Sequence, residues 1–188
     1  MSIKIDKPTS LLLDGLYIPS PNCNDRPDPN DISLIVVHGI SLPAGQFGGP
    51  YIEQLFTNRL DVEQHESFIE IATLEVSSHV LIRRDGQVIQ FVPFDKRAWH
   101  AGASRFEDRE ECNDFSIGIE LEGTDTIPYE AVQYQQLAEV IQALLKRYPT
   151  INQKRIVGHS DIAPGRKTDP GPAFDWVKLA HVLTDRLG

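Results

Sequence analysis

Ser116 to Glu122 alternates Ile117, Ile119 and Leu121 with Ser116, Gly118, Glu120 and Glu122. A period of two puts the apolar set on one face of a strand and both glutamates on the other, so the segment predicts a half-buried strand. A second period follows. Between Tyr129 and Tyr148, apolar residues fall at 134, 137, 138, 141, 144, 145 and 148. That is the spacing of one helical face, and it predicts a long amphipathic helix.

Shorter segments fill the rest of the chain. Leu34-Ile35-Val36-Val37 is a mostly β-branched apolar run, as a buried strand requires, and it leads directly into His38-Gly39. Val80–Arg84 and Val88–Val92 flank Asp85-Gly86, a hairpin signal that predicts positive φ at both turn residues. Arg155–Gly158 predicts a short strand ending at His159. Tyr51–Asn58 predicts a short helix burying Ile52, Leu55 and Phe56. Phe174–Leu187 predicts a terminal helix that turns Trp176, Leu179, Ala180 and Leu183 to the core. Residues 19–31, rich in Pro, Asn and Asp, and the glycine-rich stretch Gly45–Pro50 predict irregular loops. Strands and helices interleave with uneven connections. The expected fold class is therefore α/β, a single domain over 1–188 with a mixed central β-sheet flanked by helices and an irregular N-terminal segment over about 1–31.

Composition narrows the function classes. The 188 residues carry 18 Lys and Arg against 27 Asp and Glu, a net charge of −9. Such a chain is a poor partner for nucleic acid or an anionic membrane surface, both of which select clustered cations. No apolar stretch approaches the roughly 20 residues that cross a bilayer. Charges interrupt the N-terminal stretch where a signal core would run, so the expected location is the cytoplasm. Two cysteines, Cys23 and Cys112, are too few for a disulfide framework and are expected as free thiols.

Candidate chemistry gathers where elements stop. His38 and His159 each follow a predicted strand, and Asp169 lies ten residues beyond His159. Two imidazoles and a carboxylate suit zinc with a fourth position left for water. Hydrogen-bonded strand-end histidines explain the same residues equally well from spacing alone. Glu120 and Glu122 share a strand face with Cβ atoms roughly 7 Å apart. That spacing fits the acid and nucleophile of a metal-free glycosidase, a general base beside a metal, or a plain acidic surface. Glu120, set among Ile117, Ile119 and Leu121, is the better candidate for a dry pocket and a raised pKa. Lys167, two residues before Asp169, suits stabilisation of an oxyanion or simple solvation. Trp99, in Trp99-His100-Ala101-Gly102, suits stacking on a sugar or filling the core. Phosphate-binding glycine loops, H-E-x-x-H and G-x-S-x-G are absent from the sequence.

Longer motifs then carry a resemblance. Val36-Val37-His38-Gly39-Ile40-Ser41-Leu42-Pro43, Arg83-Arg84-Asp85-Gly86, Trp99-His100-Ala101-Gly102, Cys112 through Asp125, and Gly158 through Pro172 resemble, in order, the cytoplasmic anhydro-N-acetylmuramyl-L-alanine amidases. These are type 2 amidases, related to peptidoglycan recognition proteins. The resemblance implies a mixed sheet flanked by helices. It implies hydrolysis of the amide between N-acetylmuramic acid, in its anhydro form, and L-alanine during cell-wall recycling. It implies zinc on His38, His159 and Asp169, with Glu120 as the catalytic glutamate and Lys167 as the catalytic lysine. The expected partner is a small soluble anhydro-muropeptide met by a monomer, with no nucleic acid and no membrane involved.

The chain departs from the family pattern at Gly39, where relatives carry Asn, at Ser67, where they carry Tyr, and at Glu75, where Arg occurs. Those changes motivate an alternative, a muropeptide-binding sensor with weak or altered catalysis. A net charge of −9 offers an anionic muropeptide no global attraction. Any attraction must be local, with Lys167, Arg83, Arg84, Arg97 and Arg166 as candidates.

Overall fold

The computed structural model describes residues 3–13 and 15–185. Its elements, in chain order, are β1 (Leu16–Tyr17), β2 (Cys23–Asp25), β3 (Leu34–Ile40), α1 (Tyr51–Phe56), β4 (Val80–Ile82), β5 (Val88–Gln90), β6 (Lys96–Ala98), β7 (Arg105–Phe106), β8 (Arg109–Glu110), β9 (Ser116–Glu122), α2 (Ala131–Arg147), β10 (Ile156–Gly158), α3 (His159–Ile162) and α4 (Trp176–Asp185). Six strands form one sheet in the order β1-β5-β4-β9-β3-β10. Only β4 and β5 pair antiparallel within it; the other neighbours are parallel. The sheet is therefore mixed, with helices on its faces, as the interleaved pattern predicts.

The alternation along β9 does set its two faces, but the strand is not half-buried. It lies between β4 and β3, and all seven of its residues are buried. Ile117, Ile119 and Leu121 join Ile35, Val37, Val80 and Ile82 under α2 and α4. α2 meets them with Tyr134, Leu137, Ala138, Ile141 and Leu144, the stripe read from the sequence. Gln133 is buried in the same face. Its Nε2 donates to the carbonyls of Ile82 and Glu122, at 3.2 and 3.0 Å, and so ties the helix to both strands. The opposite face of the sheet carries Ser116, Gly118, Glu120 and Glu122 beside Leu34, Val36 and His38. Part of it is covered by Ala101, Cys112, Phe115 and Ile162. Farther along, Leu81, Ile89 and Phe91 pack against Ile52, Leu55 and Phe56 of α1 and against Phe68.

Several local expectations change. The β4–β5 connection is not a two-residue turn with two positive φ values. Only Gly86 has positive φ (+87°), and the Gly86 and Arg83 amides donate to the Arg83 and Gln87 carbonyls. This is a type I turn closed by a left-handed glycine, which leaves Asp85 in an ordinary conformation. On α4, Leu179 and Leu183 are buried as expected, but Trp176 is 38% exposed and Ala180 is also exposed. The predicted end of that helix at Leu187 lies outside the described residues. Two short strands, β1 and β2, form where irregular structure was expected; β2 pairs with β6. Cys23 and Cys112 are free. No helix of the described residues is long and apolar enough to cross a membrane.

Candidate metal and catalytic site

Three parallel strands end together. β3 and β9 run in a register that places His38 opposite Glu120, and β10, on the other side of β3, stops at Gly158. His159 opens α3 directly after it. The carboxyl ends of parallel strands are the usual place for a site in an α/β sheet, because loops there can converge without belonging to the core. The segment carrying Asp169 is bound back to this point. Its carbonyl accepts from the Ser160 amide at 3.0 Å, and the next carbonyl, of Pro170, accepts from the Tyr129 hydroxyl at 3.0 Å.

Three donor atoms meet as a result. His38 Nδ1 lies 3.0 Å from His159 Nδ1 and 3.2 Å from Asp169 Oδ2, and the third edge, His159 Nδ1 to Asp169 Oδ2, is 3.1 Å. Tetrahedral ligands about 2.1 Å from zinc lie about 3.4 Å apart, so the triangle needs to open only slightly to hold one. The donor set fits in kind as well. His159 Nε2 lies 3.1 Å from the Ala101 carbonyl, which can only accept. His159 therefore carries its proton there and turns the lone pair of Nδ1 toward the carboxylate. Burial lowers the His38 pKa to about 4, opposed by Asp169 and helped by the neighbouring His159, so His38 is neutral at pH 7. Two imidazoles and one carboxylate, aimed at a common point, form a group that could hold a metal ion.

Glu120 stands beside this triangle. Its Oε1 is 3.9 Å from His38 Nδ1, and its Oε2 is buried with no hydrogen-bond partner. Burial raises its pKa well above the ordinary value, and the charge on Asp169 adds to the rise. An unpaired carboxylate at a cavity wall is poised for proton transfer. The cavity holds about 220 Å³ and is lined by all five residues singled out from the sequence: His38, Glu120, His159, Lys167 and Asp169. Lys167 itself is exposed. Trp99 lines the same cavity half-buried, with its Nε1 donating to Asn24 Oδ1 at 2.7 Å, so it is a wall residue with a fixed ring and not a core plug.

Glu122 has a different environment. Although it shares the strand face of Glu120, its Oε1 accepts from the Gly48 amide at 2.6 Å and its Oε2 from the Arg84 amide at 3.1 Å. Arg83 Nη1 lies 3.6 Å away. The second carboxylate is thus committed to fastening the glycine-rich loop and the β4–β5 turn, which leaves no glycosidase pair. Most candidate cations are also committed. Arg83 pairs with Glu53, Arg84 with Glu130, and Arg97 with Asp114. Arg166 donates to the Ala101 and Ala103 carbonyls. Lys167 is the one of these five cations that lines the cavity.

The family departures fall in distinct places. Ser67 is exposed in a single 3₁₀ turn, with its hydroxyl 2.8 Å from His65 Nδ1, and Glu75 is exposed on the same loop. Gly39 is internal. A Cβ there would come within 2.3 Å of the Tyr129 hydroxyl, and one at Gly123 within 2.2 Å of the same ring. Tyr129 occupies the space that a side chain at 39 would need. Of His100, Asn113 and Ser116, which reasoning from the sequence left without roles, His100 backs His38, and Asn113 and Ser116 in turn hold His100. Their place inside the Trp99–Gly102 and Cys112–Asp125 motifs was the available signal.

Residues 28–172 match the family model described as N-acetylmuramoyl-L-alanine amidase. The chain is 62% identical over 173 residues to the 1,6-anhydro-N-acetylmuramyl-L-alanine amidase AmpD of Escherichia coli, covering 92% of this chain and 94% of that one. It superposes on a crystal structure of a selenomethionine AmpD derivative with a TM-score of 0.92 at 56% identity, covering 95% and 98% of the two chains. AmpDh3 of Pseudomonas aeruginosa, solved in complex with anhydromuramic pentapeptide, aligns with a TM-score of 0.60 at 30% identity, over 83% of this chain and 61% of that one.

Proposed function

The chain belongs to the N-acetylmuramoyl-L-alanine amidase family, and on that premise we propose that it is a zinc-dependent hydrolase of the anhydro-muramyl-L-alanine amide in small soluble muropeptides. One observation supports this most strongly. The metal-binding triangle of His38, His159 and Asp169 shares a cavity with the unpaired, high-pKa carboxyl of Glu120.

When bound, zinc supplies Lewis acidity, which acidifies water and polarises the scissile carbonyl. Glu120 acts as general base, its Oε2 taking a proton from the attacking water. The raised pKa then lets it keep that proton long enough to pass it to the departing L-alanine nitrogen. Lys167 offers its ammonium at the mouth of the cavity to the charge that develops on the carbonyl oxygen. Trp99 supplies a fixed aromatic wall against which a sugar can lie. A sensor would need neither Glu120 nor Lys167, and the retention of both favours the enzyme. Residues 1–188 act in this reading as one amidase domain. It works in this reading as a monomer and in the cytoplasm, the latter in keeping with the unpaired Cys23 and Cys112.

Incubation with anhydro-muramyl-L-alanyl peptide tests the proposal. Release of the peptide that depends on zinc is the expected result. No release by protein shown to contain zinc would refute it.

A further inference from the structure

We propose that His100 is the positioning residue that turns His38 into a metal ligand, through a hydrogen-bond relay anchored on Ser116 and the Cys112 carbonyl. The inference rests on the metal-site reading above and concerns a residue to which that reading assigns nothing.

The relay is built from its fixed end. The Ser116 hydroxyl donates to the Cys112 carbonyl at 2.5 Å. A hydroxyl has one proton, so toward His100 Nε2, 3.2 Å away, Ser116 can only accept. His100 therefore carries its N–H on Nε2. The side chains its ring touches, His38, His79 and Ser116, bear no negative charge that would hold a second proton. His100 Nδ1 is left as an acceptor, 2.9 Å from His38 Nε2. His38 must donate there, and a neutral imidazole that donates from Nε2 has its lone pair on Nδ1. Nδ1 is the atom that faces Asp169 Oδ2 and His159 Nδ1. The opposite order of protons would put an N–H where the metal belongs.

The frame around the relay gives it a single geometry. The amides of His100 and Ala101 both donate to Asn113 Oδ1, at 3.1 and 2.8 Å. The Ala101 carbonyl takes the Nε2 proton of His159. Two consecutive residues thus receive the outward N–H of both metal-facing histidines, and one asparagine holds their backbone. The His100 ring lies flat against β9 at Gly118, where an added Cβ would come within 2.5 Å of its Cγ. A strand position without a side chain is what lets the ring reach both Ser116 and His38.

Partners of this kind, which orient a metal ligand without touching the metal, commonly contribute 10–100-fold to metal affinity. The test compares zinc affinity, by competition with a chromophoric chelator, in the parent, His100→Phe, His100→Asn and Ser116→Ala. Thermal unfolding of each metal-stripped protein runs alongside. His100→Phe keeps an aromatic ring but offers no acceptor, and its affinity is expected to fall 10–100-fold. His100→Asn places an oxygen near the position of Nδ1 and is expected to recover most of that loss. A merely structural role would not produce this recovery. Ser116→Ala, the milder change should His100→Phe fail to fold, is expected to weaken zinc binding several-fold with the unfolding midpoint of the stripped protein little changed. Cobalt-loaded protein gives a second readout, since a displaced His38 alters the visible absorption bands. Tight zinc binding by the parent, matched by His100→Phe or Ser116→Ala, would overturn the role of His100 alone. Failure of the parent itself to bind zinc would overturn the metal-site reading and this proposal with it.

Discussion

Glu120 and His38 are register partners on adjacent parallel strands, and this pairing brings a carboxylate oxygen to 3.9 Å from the nitrogen that faces the metal position. The relationship is fixed by backbone hydrogen bonding, so side-chain substitution should leave it in place. Glu120→Gln keeps the volume and removes the base. Hydrolysis is expected to fall by about 10²–10⁴-fold, with zinc content equal to the parent's by metal analysis. A Gln variant that turns over at the parental rate would contradict the role.

Glu122, two residues on, should behave as a structural residue. Glu122→Ala removes the acceptor of the Gly48 and Arg84 amides and takes a counter-charge from Arg83. Charge-assisted bonds of this kind contribute roughly 1.5–3 kcal/mol each. Urea denaturation should show a loss of about 3 kcal/mol. Cleavage between sugars should be undetectable in parent and variant alike.

The Gly39–Tyr129 contact makes a separate prediction. Gly39→Ala drives a methyl group into the Tyr129 hydroxyl, which is already bonded to Pro170, and should cost about 1–3 kcal/mol. Tyr129→Phe removes the obstructing oxygen. The double variant should therefore be more stable than the sum of the single losses, by about 0.5–3 kcal/mol in a double-mutant cycle. Additive losses would show that the hydroxyl does not fill the space at 39.

His79 predicts an acid limb. Burial lowers its pKa from 6.5 to about 3, and Arg26 adds to the shift. Below 6.5 the unfolded chain binds a proton that the folded one refuses. Stability from this residue is thus complete above 6.5 and declines as pH falls toward 3, by about 1.4 kcal/mol per unit. Between pH 7 and 5, metal-stripped parent should lose about 2 kcal/mol more than His79→Gln in denaturant unfolding. Equal losses would mean that the folded protein accepts the proton.

The sequence disclosed most of this fold because periodicity and burial agree in it. The period of β9 separates the face under α2 from the face that carries Glu120, and the stripe on α2 meets that strand as read. Two kinds of information were not local. The burial of β9 on both faces depends on α2 and α4 covering one and Ala101, Cys112, Phe115 and Ile162 part of the other, so alternation alone suggested one wet face. Glu122 looks equivalent to Glu120 in sequence, and only the approach of Gly48 and Arg84 from distant loops distinguishes an anchor from a base. Trp176 misled for a related reason: its apolar character fits the helix stripe, but α4 begins at that residue and leaves the ring partly outside. The metal triangle was legible as strand-end residues and through the resemblance. Its geometry needed the tie between Ser160 and the Asp169 carbonyl.

The most direct test of the account is release of L-alanyl peptide from an anhydro-muropeptide by one preparation, assayed as purified, after metal removal by a chelator, and after zinc is returned. Activity that disappears with the metal and returns with one zinc per chain is the predicted result, with no return in His159→Ala. Undiminished release by metal-free protein would contradict it.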